Sequence, residues 1–250
     1  MFKKWYNLLK SYYTYDYIVG VKIMLNSTGF DLWANGYDKS VNISDESGEY
    51  PFDGYKDVLN HIYKQVRKKS NANILDIGFG TGILTTQLYN NGYSITGIDF
   101  SSNMVDIAKL KMPKANLINC DFSKGLPDEI KNSYYDFIIS TYAIHHLTDE
   151  EKISFIKLIS TMLTKTGKIL IGDVSFRSRE KLEKCKKKYS KEWDNDEFYL
   201  IAREIEITLG NKYLCKYTKR SQCAGVLTIT NVVHRIYYFK QMITSKFKKN

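Results

Sequence analysis

Residues 76–82 read Asp76-Ile77-Gly78-Phe79-Gly80-Thr81-Gly82, and no other stretch constrains the fold as tightly. The run at 73–77 reads as a strand, and 83–90 as a helix closed by Asn91-Gly92. Three glycines between them let the backbone turn tightly and approach a ligand with no Cβ in the way. The helix that follows presents unpaired N–H groups at the turn, which suits a carboxylate as well as a phosphate. Such a unit belongs in an open parallel α/β sheet, where ligands bind beyond the carboxyl ends of the strands at the switch point.

The rest of the chain after residue 70 keeps to that plan. Short β-branched runs at 94–98, 115–119, 135–140 and 168–171 alternate with helical patterns. The run at 135–140 is apolar on both faces (Phe137, Ile138, Ile139), as a central parallel strand should be. Ser101 is expected to cap a helix that Pro113 ends. Thr148-Asp149-Glu150-Glu151 reads as a capping box. It opens a helix whose Ile153, Ile156, Ile159 and Leu163 face the sheet, with Gly167 as its stop. A charged helix is expected at 178–189, and 212–218 with 226–230 as an antiparallel pair. Upstream, 55–67 reads as an amphipathic helix.

Two acids complete the ligand pattern. Asp99 ends the second strand, 21 residues after Gly78, where an acid accepts both ribose hydroxyls. Asp121 follows the third strand with Phe122 beside it, placed for an adenine amino group and a ring face. The glycine spacing is G-x-G-x-G rather than the G-x-G-x-x-G of NAD sites, and it matches the S-adenosylmethionine (SAM) form.

The net charge of +10 raises the question of nucleic acid, but its distribution answers it. Residues 1–23 hold four lysines against Asp16, and 232–250 hold five basic residues and no acid. Eight of the ten net charges therefore sit in the tails, and the central region is close to neutral, which weighs against nucleic acid as a partner. No apolar run is long enough to span a bilayer, and no leader pattern opens the chain. The four cysteines form no C-x-x-C pair and there are four histidines, which argues against a metal site and for reduced thiols in a cytoplasm.

Several stretches carry a family resemblance. The segments 76–82, Ile98-Asp99-Phe100-Ser101, Cys120-Asp121-Phe122-Ser123 and 135–147 resemble the motifs of class I SAM-dependent methyltransferases. Phe30-Asp31-Leu32-Trp33-Ala34 with Tyr37-Asp38, Tyr50-Pro51-Phe52, Ser140-Thr141-Tyr142-Ala143-Ile144-His145-His146-Leu147, Lys168-Ile169-Leu170-Ile171-Gly172-Asp173 and Cys223-Ala224-Gly225-Val226 are similar to a bacterial group, the YrrT-like methyltransferases. The match spans about residues 28–230 and leaves both tails outside. The resemblance implies a Rossmann-like α/β fold. Its sheet is mostly parallel and seven-stranded, with a terminal antiparallel strand and helices on both faces. It also implies SAM, with S-adenosylhomocysteine (SAH) as product, held by Asp76, Gly78, Gly80, Gly82, Asp99, Phe100, Asp121 and Phe122. An N-terminal lid would cover it, with Trp33 or Tyr37 touching the cofactor; at helical spacing these aromatics equally pack on the sheet. The resemblance supplies no acceptor.

On this reading the chain divides into an N-terminal extension (1–27, with Met24 as an alternative start), a methyltransferase domain (28–231, its lid at 28–55) and a basic tail (232–250). The acceptor is expected near 140–147, where Tyr142, His145 and His146 lie. Either histidine serves as a general base, or one packs on the sheet while the other caps the next helix. The Asn/Asp-Pro-Pro-aromatic motif of amino-base methylation is missing there, and no cysteine fits base-directed nucleophilic chemistry. A small-molecule acceptor is therefore the leading expectation. RNA or protein methylation and non-catalytic SAM binding are the rivals, and the oligomeric state is left open.

Overall fold

A computed structural model of the chain describes residues 50–232. The expected extension, most of the lid with Trp33 and Tyr37, and the tail from residue 233 lie outside the described residues.

Eight strands form one sheet: β1 (Asn73–Ile77), β2 (Ser94–Asp99), β3 (Asn116–Asn119), β4 (Tyr135–Thr141), β5 (Leu163–Phe176), β6 (Leu200–Ile201), β7 (Tyr213–Lys219) and β8 (Ala224–Asn231). The main path runs β3-β2-β1-β4-β5-β8-β7, which is the expected seven strands. β8 is antiparallel to both β5 and β7; β3, β2, β1, β4 and β5 pair in parallel. The eighth strand, β6, pairs with the far end of β5 and was not expected, because two residues carry no period. The helices are α1 (Tyr55–Val66), α2 (Ile83–Asn90), α3 (Ser102–Lys111), α4 (Asp128–Lys131), α5 (Asp149–Ser160), α6 (Arg179–Lys188) and α7 (Ala202–Leu209). Among the described residues no helix is long and apolar enough to cross a membrane.

The chain leaves β1 toward β2 on one side and enters β4 on the other, so the sheet switches direction between these two strands. Alternation along the strands then fills two apolar layers. Ile74, Phe137, Leu170 and Val226 face one side, and Leu75, Ile138, Ile171 and Leu227 the other.

α1 lies on the first layer because its apolar residues recur at helical spacing: Tyr55, Val58, Leu59, Ile62 and Val66 are all buried. Val58 and Ile62 rest on Gly172 of β5, where a Cβ would lie 2.4 Å from Val58 Cγ1. Each fully buried aliphatic side chain there contributes about 1.5–3 kcal/mol.

α5 opens with the expected capping box: Thr148 N donates to Glu151 Oε2 at 2.8 Å, and Glu151 N to Thr148 Oγ1 at 3.3 Å. Its far end departs from the expectation. The helix stops at Ser160, Leu163 begins β5, and Phe155 rather than Ile153 joins Ile156 and Ile159 in the core. Gly167 is no helix stop. It lies within β5, and a Cβ there would sit 2.8 Å from Tyr135 O. β5 starts early because Leu163 pairs with Tyr135 ahead of a register shift in β4.

Candidate functional site

The glycine loop leaves β1 in backbone that favours glycine: φ is 70° at Gly78, 59° at Gly80 and 77° at Gly82. Gly78 N donates to Ile98 O at 2.8 Å, which fastens the loop to the end of β2. A Cβ on Gly78 would lie 2.4 Å from Ala143 Cβ, so the loops after β1 and β4 touch. Gly82 caps α2 without any side-chain hydrogen bond, leaving first-turn N–H groups directed at the loop.

Asp99 closes this loop from the side. Its Oδ2 accepts from Gly80 N at 2.8 Å and its Oδ1 from Ser101 N at 2.9 Å. Asp76 is buried beneath, and its Oδ2 accepts from Thr85 Oγ1. Its other oxygen, Oδ1, has no hydrogen-bond partner. Burial, aided by the Asp99 charge and opposed by the Thr85 bond, pushes Asp76 up to about 7. Sequence reasoning missed Thr85, although its place one turn into α2 could have shown it.

Gly78, Gly80, Asp99, Phe100, Met104 and Phe122 line one cleft together with Tyr55, Leu59, Tyr142 and His146. Phe122 is buried with its ring 5.3 Å from Phe155. Asp121 is half-buried beside the cleft and does not line it. Its carboxylate accepts from Ser123 Oγ at 2.6 Å and pairs with Lys124 at 2.9 Å. Burial opposes ionisation, but these bonds win and hold Asp121 below the usual carboxylate range.

Tyr142 adopts φ 52°, a conformation costing about 1–3 kcal/mol for a non-glycine residue. It is held by its N–H, which donates to Gly172 O at 2.8 Å, and by Tyr55 and Phe52, whose rings lie 5.0 and 5.5 Å away.

The two histidines part company. His146 lines the cleft, whereas His145 is buried behind it, and their rings are 4.3 Å apart. His145 Nδ1 lies 2.7 Å from Asp173 Oδ1, and its Nε2 lies 3.7 Å from Glu197 Oε1. Burial works against charging His145, but the Asp173 and Glu197 carboxylates outweigh it and push the imidazole up to about 9. Burial, with the charges of His145 and Lys152, holds His146 well below the usual range. Donor atoms of His145, His146 and Glu197 all lie within 4.8 Å of one another. Asp173 and Glu197 escaped the sequence reading as site residues. Asp173 lies two residues past the strand expected at 168–171, which was a usable signal; Glu197 lies outside any helix or strand and gave none.

Comparisons with known proteins place the chain in a family. A family model described as a methyltransferase domain matches residues 74–167. An uncharacterized methyltransferase of Anoxybacillus flavithermus is 41% identical over 154 residues, covering 62% of this chain and 69% of that protein. One from Oceanobacillus iheyensis is 38% identical over 151 residues, covering 60% and 68%. Among solved structures, the magnesium protoporphyrin IX methyltransferase of Synechocystis PCC 6803 with bound SAH superposes with a TM-score of 0.60. It is 18% identical and covers 90% of this chain and 99% of that one.

Proposed function

The chain belongs to the class I SAM-dependent methyltransferases, and from that premise we propose that it moves a methyl group from SAM to a small-molecule acceptor seated between Tyr142 and His146. The observation that carries this reading is that the glycine loop and Asp99 line the same cleft as Tyr142 and His146.

The residues present fit the cofactor. The buried, unpartnered Asp76 Oδ1 suits an ammonium, and the uncapped first turn of α2 suits a carboxylate, so together they match an amino-acid end. Asp99 accepts from Gly80 and Ser101 and lines the cleft at the end of β2, where an acid suits ribose hydroxyls. Phe100 and Phe122 would flank the base, with Asp121 at its edge. When bound, SAM supplies an electrophilic methyl on a sulfonium.

The protein's part is alignment. Holding donor and acceptor in line supplies about 7–11 kcal/mol of the barrier. Tyr55, Leu59 and Tyr142 exclude water from the acceptor end, and His146 offers it a hydrogen-bond acceptor for an O–H, N–H or S–H group. Modest room and mostly apolar walls support a small molecule over a macromolecule.

Calorimetry with SAM and SAH tests the donor half, and absence of heat with either ligand overturns it. A metabolite extract incubated with methyl-labelled SAM tests the acceptor half. A labelled small molecule supports the reading, and label found only in RNA or protein overturns it.

A further inference from the structure

We infer that His145, His146 and Glu197 form a site for one divalent transition-metal ion of the zinc class, open toward the acceptor end of the cleft. The inference rests on the reading of that end as the acceptor's, and it adds the chemistry by which an acceptor would be held there.

The donor set and its spacing come first. Two imidazoles and one carboxylate present donor atoms within 4.8 Å of one another. The 3.7 Å between His145 Nε2 and Glu197 Oε1 is too long for a hydrogen bond. Two ligands bound tetrahedrally to a shared zinc ion, at about 2.0–2.2 Å each, stand roughly 3.4 Å apart. A shift of a few tenths of an ångström brings this pair to that spacing.

The surroundings fix the ligands as such sites require. Asp173 Oδ1 holds His145 Nδ1 at 2.7 Å, which turns Nε2 toward Glu197. A carboxylate behind a ligating imidazole is the usual supporting partner of a metal site. Phe198 N donates to His145 O at 2.9 Å and ties the Glu197 segment to the histidine turn. Glu197 is buried, yet its Oε2 has no hydrogen-bond partner. A buried carboxylate oxygen left in this state is costly unless a proton or a cation meets it.

Charge points the same way. Asp173 and Glu197 are two buried carboxylates beside one buried ammonium, Lys152. That ammonium is committed to Leu147 O at 2.5 Å and Asp149 Oδ1 at 3.4 Å. A metal ion would displace the proton that these carboxylates hold on His145; with both imidazoles then neutral, the cluster is net negative and a dication offsets it. Counting cysteines does not find such a site, because its ligands contain none.

Three protein ligands leave zinc a fourth position, and half-buried His146 puts that position at the cleft. It would take the oxygen or sulfur of a hydroxyl or thiol acceptor as the anion, the released proton passing to bulk water.

The test uses the full chain, freed of metal by chelator and titrated with Co2+. We expect visible d–d absorption of tetrahedral intensity saturating at one ion per chain. Glu197→Gln should weaken Co2+ at least about tenfold, and Asp173→Asn, acting through His145, by about 10–100-fold. SAH calorimetry on both variants checks that they are folded. Wild-type protein without d–d bands in excess Co2+, or a folded Glu197→Gln protein that titrates like wild type, overturns the site. Protein that binds SAH but no Co2+ removes the metal and leaves the methyltransferase reading standing; protein that binds Co2+ but neither SAM nor SAH does the reverse.

Discussion

The carboxylate of Asp99 accepts a hydrogen bond from the amide of Gly80 at 2.8 Å, so the acid at the end of β2 holds the glycine loop as well as facing the cleft. Asp99→Ala removes that acceptor and the one for Ser101 N together. Charge-assisted bonds contribute about 1.5–3 kcal/mol each. SAH affinity should fall by at least about a hundredfold in calorimetry. Asp99→Asn, which retains one acceptor oxygen, should lose less. Equal loss in the two variants would refute this account of the loop.

Gly78 and Gly80 share a left-handed backbone but differ in surroundings. A Cβ on Gly78 meets Ala143 at 2.4 Å, whereas one on Gly80 meets nothing within 4 Å. Gly80→Ala should cost only the left-handed strain of about 1–2 kcal/mol. Gly78→Ala adds a clash between the β1 and β4 loops and should cost clearly more. Urea denaturation of the two variants, side by side, measures the difference; a cost at Gly80 equal to that at Gly78 would contradict the geometry.

Asp76 makes stability depend on pH. Its folded value is raised to about 7 from 3.8, so between these values the folded chain keeps a proton that the unfolded chain has released. Folding then binds protons, and this residue's contribution falls as pH rises from about 4 to about 7, levelling above. Asp76→Asn keeps an acceptor for Thr85 and removes the titration. Its melting temperature should exceed that of wild type at pH 8 by more than at pH 5. A difference independent of pH would rule this out.

Asp173 carries a buried load. Its Oδ1 meets His145 Nδ1 at 2.7 Å and accepts from Val174 N at 2.7 Å. Removing one member of a buried pair typically costs about 3–5 kcal/mol, since the partner stays buried and uncompensated. Asp173→Ala should lose stability on that scale in urea, and His145→Gln, whose side-chain amide can still donate to Asp173, somewhat less. A loss below about 1 kcal/mol for Asp173→Ala would show that water replaces the partner.

What the sequence disclosed divides by range. The loop at 78–82, Asp99 and the capping box of α5 depend on residues close together in the chain, and each lies where the spacing put it. The strands themselves followed from short β-branched runs, but the early start of β5 did not. Leu163 reads as one more helical apolar residue until Tyr135 pairs with it. The surroundings of His145 were hidden for the same reason. Asp173 and Glu197 come from separate parts of the chain, and only the placement of β5 beside β4 brings them to the histidine. The sequence put His145 and His146 on equal terms; a single 3-10 turn sends one to the cleft and the other beneath it.

Gly172 bears on both walls of the cleft at once. Its missing side chain lets Val58 and Ile62 settle onto β5, and its carbonyl takes the N–H of Tyr142. The position therefore works as a gauge set under the floor. A methyl group there would raise α1, carrying Tyr55 and Leu59 away from Tyr142, and the cleft would widen. The width of the cleft is thus set from a residue that does not line it.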